Sequence, residues 1–450
     1  MNIRVITITL ISLLVSGFAS AQHSLTLQDA LQYALKNSEV LRKAQLDIEK
    51  GQHQIAEVRA SALPQIEASS VLNYNPIVQQ FVLPADFMGG EPGEFVAIRA
   101  GQTWGAMTQV QLNQQLFNQQ VFTGLKAARS TEEFYRVSKQ LSEENVIQQV
   151  ATNYYQVIIT REQLDVIDAN IERIAQLENM VSSQYDVGLA KKIDLDRIIV
   201  NKTNLLAQRE QLIYAVTQQE NLLKYYMGMD ITETINIPAS EIDKLEREAI
   251  QLVAQGPVDV EQLLSFQVLK KQEELLTYQR KAYLAEFYPS LSLSGNYLYN
   301  SQSNRFDLYS SRALNYDMST FTLGLRIPIF DGNARRSRVR QADVEIRKVH
   351  EDLRNTSNAL SMAYENAKIQ IKNSLNTIES QRANKEFAEK VFVSTQNNYR
   401  NGLASLTDLL TAETDLVAAQ NSYNQALLSY KVAQIELIKS NGNIQSLVNE

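Results

Sequence analysis

Residues 185–195 read Tyr-Asp-Val-Gly-Leu-Ala-Lys-Lys-Ile-Asp-Leu, and residues 399–409 read Tyr-Arg-Asn-Gly-Leu-Ala-Ser-Leu-Thr-Asp-Leu. The tyrosine, the Gly-Leu-Ala triplet and the Asp-Leu pair coincide at a constant offset of 214, and Gly228 meets Gly442 at that same offset. Further landmarks recur in the same order: Leu63-Pro64 as Tyr288-Pro289, and Phe117-Asn118 as Phe330-Asp331. Chance supplies one short match but not an ordered series, so the chain is a duplicated unit. In each copy the motif reads as the turn between two helices, with glycine filling a left-handed position.

Outward from each turn, helix breakers are missing. Neither Gly nor Pro occurs between Gly124 and Gly188, nor between Gly332 and Gly402. Apolar residues at Leu164, Ile167, Ile171, Ile174, Leu177, Val181 and Tyr185 step by three or four, as one face of a helix does. A helix of about 70 residues is roughly 105 Å long at 1.5 Å per residue, which points to a coiled coil or helical array. Shorter helices are expected at Leu27–Ala62, opened by a Thr26/Asp29 cap, and at Ile193–Met227, stopped by Gly228. Their second-half counterparts are Val258–Phe287 and Leu406–Asn441. Two short helices end to end match one long helix in each half, giving paired columns of equal length.

Between the helices the period switches to two. In Gln65–Tyr74, Ile66, Ala68, Leu72 and Tyr74 share a face; in Thr103–Asn113, Trp104, Ala106, Val110 and Leu112 do. In Ser290–Asn300 the apolar set is Leu291, Leu293, Tyr297 and Tyr299; in Ser319–Phe330 it is Phe321, Leu323, Leu325, Ile327 and Ile329. About ten residues of alternation is the length of a tilted membrane strand. A half-buried sheet on a water-soluble core produces the same alternation. Two features favour lipid. Aromatics gather at strand ends, with Tyr74, Trp104, Tyr297, Tyr299 and Phe321 expected at one interface and Phe117 and Phe330 at the other. The connecting segments 75–102 and 301–318 are long, like extracellular barrel loops. Four strands leave open edges, which lipid does not tolerate, so closure needs several chains; three give twelve strands around a lumen. Glu67 and Arg326, on polar faces, are then expected in that lumen.

Composition narrows the function. Cysteine is absent, which excludes disulfides, thiolate metal sites and cysteine nucleophiles, and three scattered histidines make no metal cluster. A net charge of −7 argues against nucleic-acid binding. No P-loop, G-x-S-x-G or H-E-x-x-H occurs, so neither an enzyme nor a cofactor is expected. Residues 1–21 have the charge, apolar core and Ala-Ser-Ala end of a secretory signal peptide, and no cysteine follows to carry a lipid anchor. The domain reading is therefore a signal peptide (1–21), a first repeat (22–228), an inter-repeat linker (229–257), a second repeat (258–442) and a tail (443–450).

The chain resembles the TolC-type outer membrane efflux proteins. The residues that carry this are Leu25-Thr26-Leu27-Gln28-Asp29-Ala30-Leu31 with Ala34-Leu35, the Leu63-Pro64 and Tyr288-Pro289 strand starts, and the duplicated Tyr-x-x-Gly-Leu-Ala…Asp-Leu. The resemblance covers essentially the whole mature chain. It implies a mainly α protein with a membrane β-barrel: a homotrimer whose long-helix hairpins form an α-barrel under a twelve-stranded outer-membrane barrel. The linker and the residues after Gly442 would girdle the helices. It also implies a passive exit duct for efflux or type I secretion, in the outer membrane and extending into the periplasm. Its partners would be a periplasmic membrane-fusion adaptor and an inner-membrane pump of the RND or ABC type.

In that family the hairpin tips close the duct. The resemblance assigns Asp408, Asp194, Tyr399 and Tyr185 to the periplasmic aperture, and Gly188, Gly402, Leu189 and Leu403 to the turns where an adaptor docks. The family's second aspartate is Thr411 here, and an arginine of its closing network is Ala404. Plainer roles stand beside these. Asp408 follows Ser405 by three residues, as a helix cap does, and Asp194 sits in a first helical turn. Lys191, Lys192 and Arg400 are expected to face solvent or an adaptor. The competing function is a periplasmic coiled-coil scaffold or adaptor with a soluble β-domain.

Overall fold

The computed structural model describes residues 25–238 and 258–449. The signal-peptide segment and residues 239–257 of the linker lie outside the described residues. In chain order the elements are α1 (Leu27–Asn37), α2 (Glu39–Ala60), β1 (Gln65–Tyr74), β2 (Gln80–Pro84), β3 (Phe95–Arg99), β4 (Trp104–Phe117), α3 (Gln119–Asp186) and α4 (Lys192–Met227). The second half runs α5 (Leu264–Ala285), β5 (Ser290–Ser303), β6 (Leu314–Arg326), α6 (Ala334–Arg400), α7 (Leu406–Ser440) and α8 (Ser446–Asn449). The long breaker-free stretches are continuous helices of 68 and 67 residues. No described helix is long and apolar enough to cross a membrane.

The chain divides into two compact units. Among the described residues, one comprises 25–46, 136–238, 258–268 and 353–449; the other, 47–135 and 269–352. In the first, Ala30, Leu31, Ala34, Ile147, Val150, Tyr154, Leu223, Met227 and Ile444 form one buried cluster. The Tyr154 hydroxyl donates to the Leu25 carbonyl at 2.9 Å, and the Leu25 amide donates to Asn236 at 2.7 Å. Arg161 pairs with Glu220 at 2.6 Å and donates to the carbonyls of Ile235 and Ile237. The start of the linker is thus pinned, and Ile444, Leu447 and Val448 of the tail pack on the same cluster. The Thr26/Asp29 capping box forms as expected. The single helix expected over Leu27–Ala62 is two, because Ser38 is extended (ψ 128°) and the Asn37 carbonyl is taken by Arg42.

The second unit holds an antiparallel sheet ordered β1-β4-β5-β6. Its register aligns the alternations: Ile66, Leu112, Gly295 and Phe321 form one row, and Ala68, Val110, Tyr297 and Ser319 another. One face is therefore an apolar band across all four strands. On the other lie Glu67, Gln111, Asn296 and Thr320 in a row, with Arg326 opposite Ser290. Four boundaries differ from the sequence pattern. β4 continues to Phe117 and β5 to Ser303, while β6 starts at Leu314 and stops at Arg326. Pro328 has no amide to donate to a ladder, so Ile327, Ile329 and Phe330 lie beyond the strand. The first long loop also contains an unanticipated two-stranded ribbon, β2–β3.

The register also separates aromatics that their positions near segment ends had grouped. Tyr74 and Trp104 are direct partners at the loop end, with ring centroids 4.4 Å apart. Tyr299 lies opposite Thr108, Tyr297 opposite Val110, and Phe321 in the row of Leu112, successively further towards the helix end. Phe321 does not belong to the Trp104 end. The strands begin and end a few residues away from the alternating segments, and each residue of difference displaces a side chain by roughly 3.3 Å.

Candidate functional site

The duplicated motif builds two helix–turn–helix tips, both in the first unit. α3 ends with the Gly188 amide on the Tyr185 carbonyl (2.9 Å) and the Leu189 amide on Gln184 (2.7 Å). α6 ends identically, Gly402 on Tyr399 (3.0 Å) and Leu403 on Asn398 (2.8 Å). These are paired Schellman caps, which require a left-handed residue; φ is 78° at Gly188 and 74° at Gly402. A Cβ at either position would meet nothing within 4 Å, so the requirement lies in the backbone alone. The caps aim Leu189 and Leu403 outward, 81% and 78% exposed.

The helices leaving the turns begin differently. At α7, the Ser405 hydroxyl accepts from the Asp408 amide (3.2 Å), and the Asp408 carboxylate accepts from the Ser405 amide (2.9 Å) and hydroxyl (2.7 Å). Those bonds to the charged form hold the Asp408 carboxyl below the usual carboxylate range. At α4 the equivalent N-cap is Lys191, which makes no side-chain cap bond. Asp194 is consequently left to its surroundings: it lies 3.9 Å from Arg197 and acts on Tyr399. Burial, and then the Asp194 charge, push the Tyr399 phenol up. Arg197 Nη1 donates to Thr407 Oγ1 at 3.3 Å, which ties the first hairpin to the second.

Of the residues expected at the aperture, Asp194 and Tyr399 lie near enough for the aspartate charge to act on the phenol. Asp408 is occupied as a cap, and Tyr185, 40% exposed, gives its carbonyl to the turn. The motif misses the contact beneath. Arg173 Nε donates to Glu413 at 3.0 Å, α3 to α7, and the guanidinium lies 5.7 Å from the Phe392 ring centre. Glu413 is 3% exposed, and burial raises its carboxyl against the opposing pull of Arg173. Leu177, Phe392 and Leu409 line the same small cavity as the pair and belong to an apolar cluster with Ile174, Val181, Ile198, Leu406 and Leu416. A signal existed: Glu413 interrupts the apolar row Leu406, Leu409, Leu416 of a helix.

Comparison with known proteins agrees with this architecture. A family model described as outer membrane efflux protein matches residues 30–228 and 261–443, one segment per repeat. The outer membrane protein TolC of Escherichia coli (strain K12) is 21% identical over 450 aligned residues, spanning 97% of this chain and 86% of that protein. The probable outer membrane lipoprotein SilC of Salmonella typhimurium is 24% identical, over 91% of this chain and 84% of its own length. Among solved structures, the CmeC outer membrane channel of Campylobacter jejuni superposes with a TM-score of 0.71 at 16% identity, covering 93% of this chain and 85% of that one.

Proposed function

The chain belongs to the outer membrane efflux protein family, and from that premise we propose that three copies assemble into a passive exit duct through the outer membrane. The observation that carries this is the four-stranded sheet of the second unit. Its apolar face carries residues from each of β1, β4, β5 and β6, such as Ile66, Leu112, Leu293 and Phe321, while both edge strands lack a partner among the described residues. Lipid requires those edges to be paired, and two further copies pair them. The opposite face, with Glu67, Gln111, Asn296 and Arg326, then lines a water-filled lumen.

The tips supply the periplasmic end. Leu189 and Leu403, held outward by the Schellman turns, are the docking points for a periplasmic adaptor, and an inner-membrane pump of the RND or ABC type supplies the energy. Asp194, Tyr399 and Arg197 join the two hairpins of one copy and hold the aperture narrow. Asp408 adds charge at the rim while it caps α7. Residues 1–21 direct export. SilC is described as a lipoprotein; this sequence has no cysteine to which such a lipid could attach.

The test is direct. The purified full-length chain should need detergent, fractionate with the outer membrane, run as a trimer and conduct ions in a planar bilayer. Water-soluble monomers in the periplasmic fraction would instead support a scaffold with a soluble β-domain.

A further inference from the structure

The ribbon β2–β3 is apolar on both sides and covered on neither. It pairs from Gln80–Arg99 to Pro84–Phe95, so Phe81, Leu83, Val96 and Ile98 share one face and Val82, Ala97, Pro84 and Phe95 the other. Phe81, Val82 and Phe95 are 55%, 62% and 71% exposed, and Phe87 in the turn beyond is 82% exposed. A two-stranded ribbon by itself is marginal in water, and an apolar surface of this kind marks a contact.

Topology says where the contact lies. β1 and β6 are the two edges of the sheet, and they run in opposite directions. When copies close a barrel, β1 of one lies against β6 of the next. The ribbon follows Tyr74, the last residue of β1; the 304–313 loop leads into Leu314, the first residue of β6. Both therefore emerge at the same seam and at the same end.

Their chemistries match. The 304–313 loop and the start of β6 expose Phe306 (71%), Tyr309 (53%) and Leu314 (59%). The far end of the ribbon carries Asp86, Glu91 and Glu94, all exposed and in no ion pair among the described residues. The loop carries Arg305 and Arg312, likewise exposed and unpaired, while its Asp307 carboxylate accepts from the Ser303 hydroxyl at 2.5 Å. We propose that the β2–β3 ribbon of each copy clasps the β5–β6 loop of its neighbour, apolar face on Phe306, Tyr309 and Leu314, acidic end on Arg305 and Arg312. The clasp rests on the trimeric reading above and adds to it a seam contact outside the membrane.

A chain without cysteine gives a clean background for the test. Glu94→Cys and Arg312→Cys are placed together in the full-length protein, which is extracted in detergent and treated with a mild oxidant. The expected result is a covalent three-chain band on a denaturing, non-reducing gel, seen only when both cysteines are present. A covalent dimer from Glu94→Cys alone means that the ribbons meet one another, and it overturns the proposal. Rapid maleimide labelling of both cysteines without cross-linking overturns it too. The second measurement is charge reversal: Arg305→Glu with Arg312→Glu should lower the trimer's melting temperature by several degrees, and adding Glu91→Arg with Glu94→Arg should restore it. No restoration refutes the pairing. The unmodified chain is sized by light scattering first; a monomer there sinks the trimeric reading itself, whereas a trimer that fails to cross-link sinks only the clasp.

Discussion

Arg173→Met isolates the buried contact beneath the tips. The substitution keeps an apolar stem against Phe392 and removes the cation that pairs with Glu413, whose side chain is 4% exposed. Breaking one side of a buried pair costs about 3–5 kcal/mol. Arg173 is itself a quarter exposed, so the lower figure, about 3 kcal/mol, applies. At 1.36 kcal/mol per tenfold, the opening of α7 from α3 becomes roughly a hundredfold more frequent. Acid should reverse the loss. Burial already holds the Glu413 carboxyl above its ordinary 4.5, and Arg173 is the lowering influence; without it the shift grows. A carboxyl raised in the fold stabilises below its unfolded value and loses that contribution as pH climbs through the folded value. The variant's deficit is therefore greatest near neutrality and shrinks as pH falls towards 5. Hydrogen exchange of the α7 amides from Leu409 to Leu416, read at several pH values, measures it. Arg173→Met with Glu413→Met should recover most of the protection, since an apolar pair of similar volume replaces the ionic one. If the double variant opens as readily as the single, or the deficit is independent of pH, the reasoning fails.

Three further outcomes are expected. Lys191→Ser completes at α4 the capping box that α7 already has, stabilising that helix start by about 0.5–1 kcal/mol; it should also draw Asp194 away from Tyr399, and a Tyr399 phenol that does not move down in ultraviolet titration contradicts this. Gly228→Ala should destabilise far more than Gly402→Ala, because both sites have positive φ but a Cβ at 228 would sit 2.6 Å from the Asn37 carbonyl oxygen while one at 402 meets open space; equal melting temperatures would refute the steric account. Asp408→Ala should raise single-channel conductance or weaken block by multivalent cations, whereas Ser405→Ala, which removes the cap and keeps the charge, should affect only α7; matching conductances would confine Asp408 to capping.

The tips were legible because one offset relates them and because a left-handed turn demands glycine. Their inequivalence was less visible. Tyr185 and Tyr399 occupy matching positions, yet the helix starts beside them differ: Ser405 caps α7, Lys191 makes no cap bond at α4, and burial and then the Asp194 charge push the Tyr399 phenol up. Alternation identified the strands and their faces but not their ends. Those are set by ladder partners in the other repeat and by Pro328, and Phe321 accordingly lies towards the helix end of the sheet. Arg173 and Glu413, 240 residues apart, meet only through packing. The ribbon is not legible inside its loop because its residues do not alternate: a strand apolar on both faces has no period.

The β4–β5 ladder sets the order in which this chain must fold. Thr103 and Asn304 bond across 201 residues, whereas β5 and β6 are neighbours in the chain, joined by residues 304–313. Local hairpins close within microseconds, and contacts this distant in sequence come late because the loop entropy is lost before the pairing compensates. Until then the first repeat carries a strand with one unpaired edge and an apolar face, the template that neighbouring chains add to. A substitution that weakens β5 therefore does its main harm during biogenesis, by lengthening the life of a half-built sheet. Its effect would be read as lost yield and aggregation rather than as a lower melting temperature of the protein that does assemble.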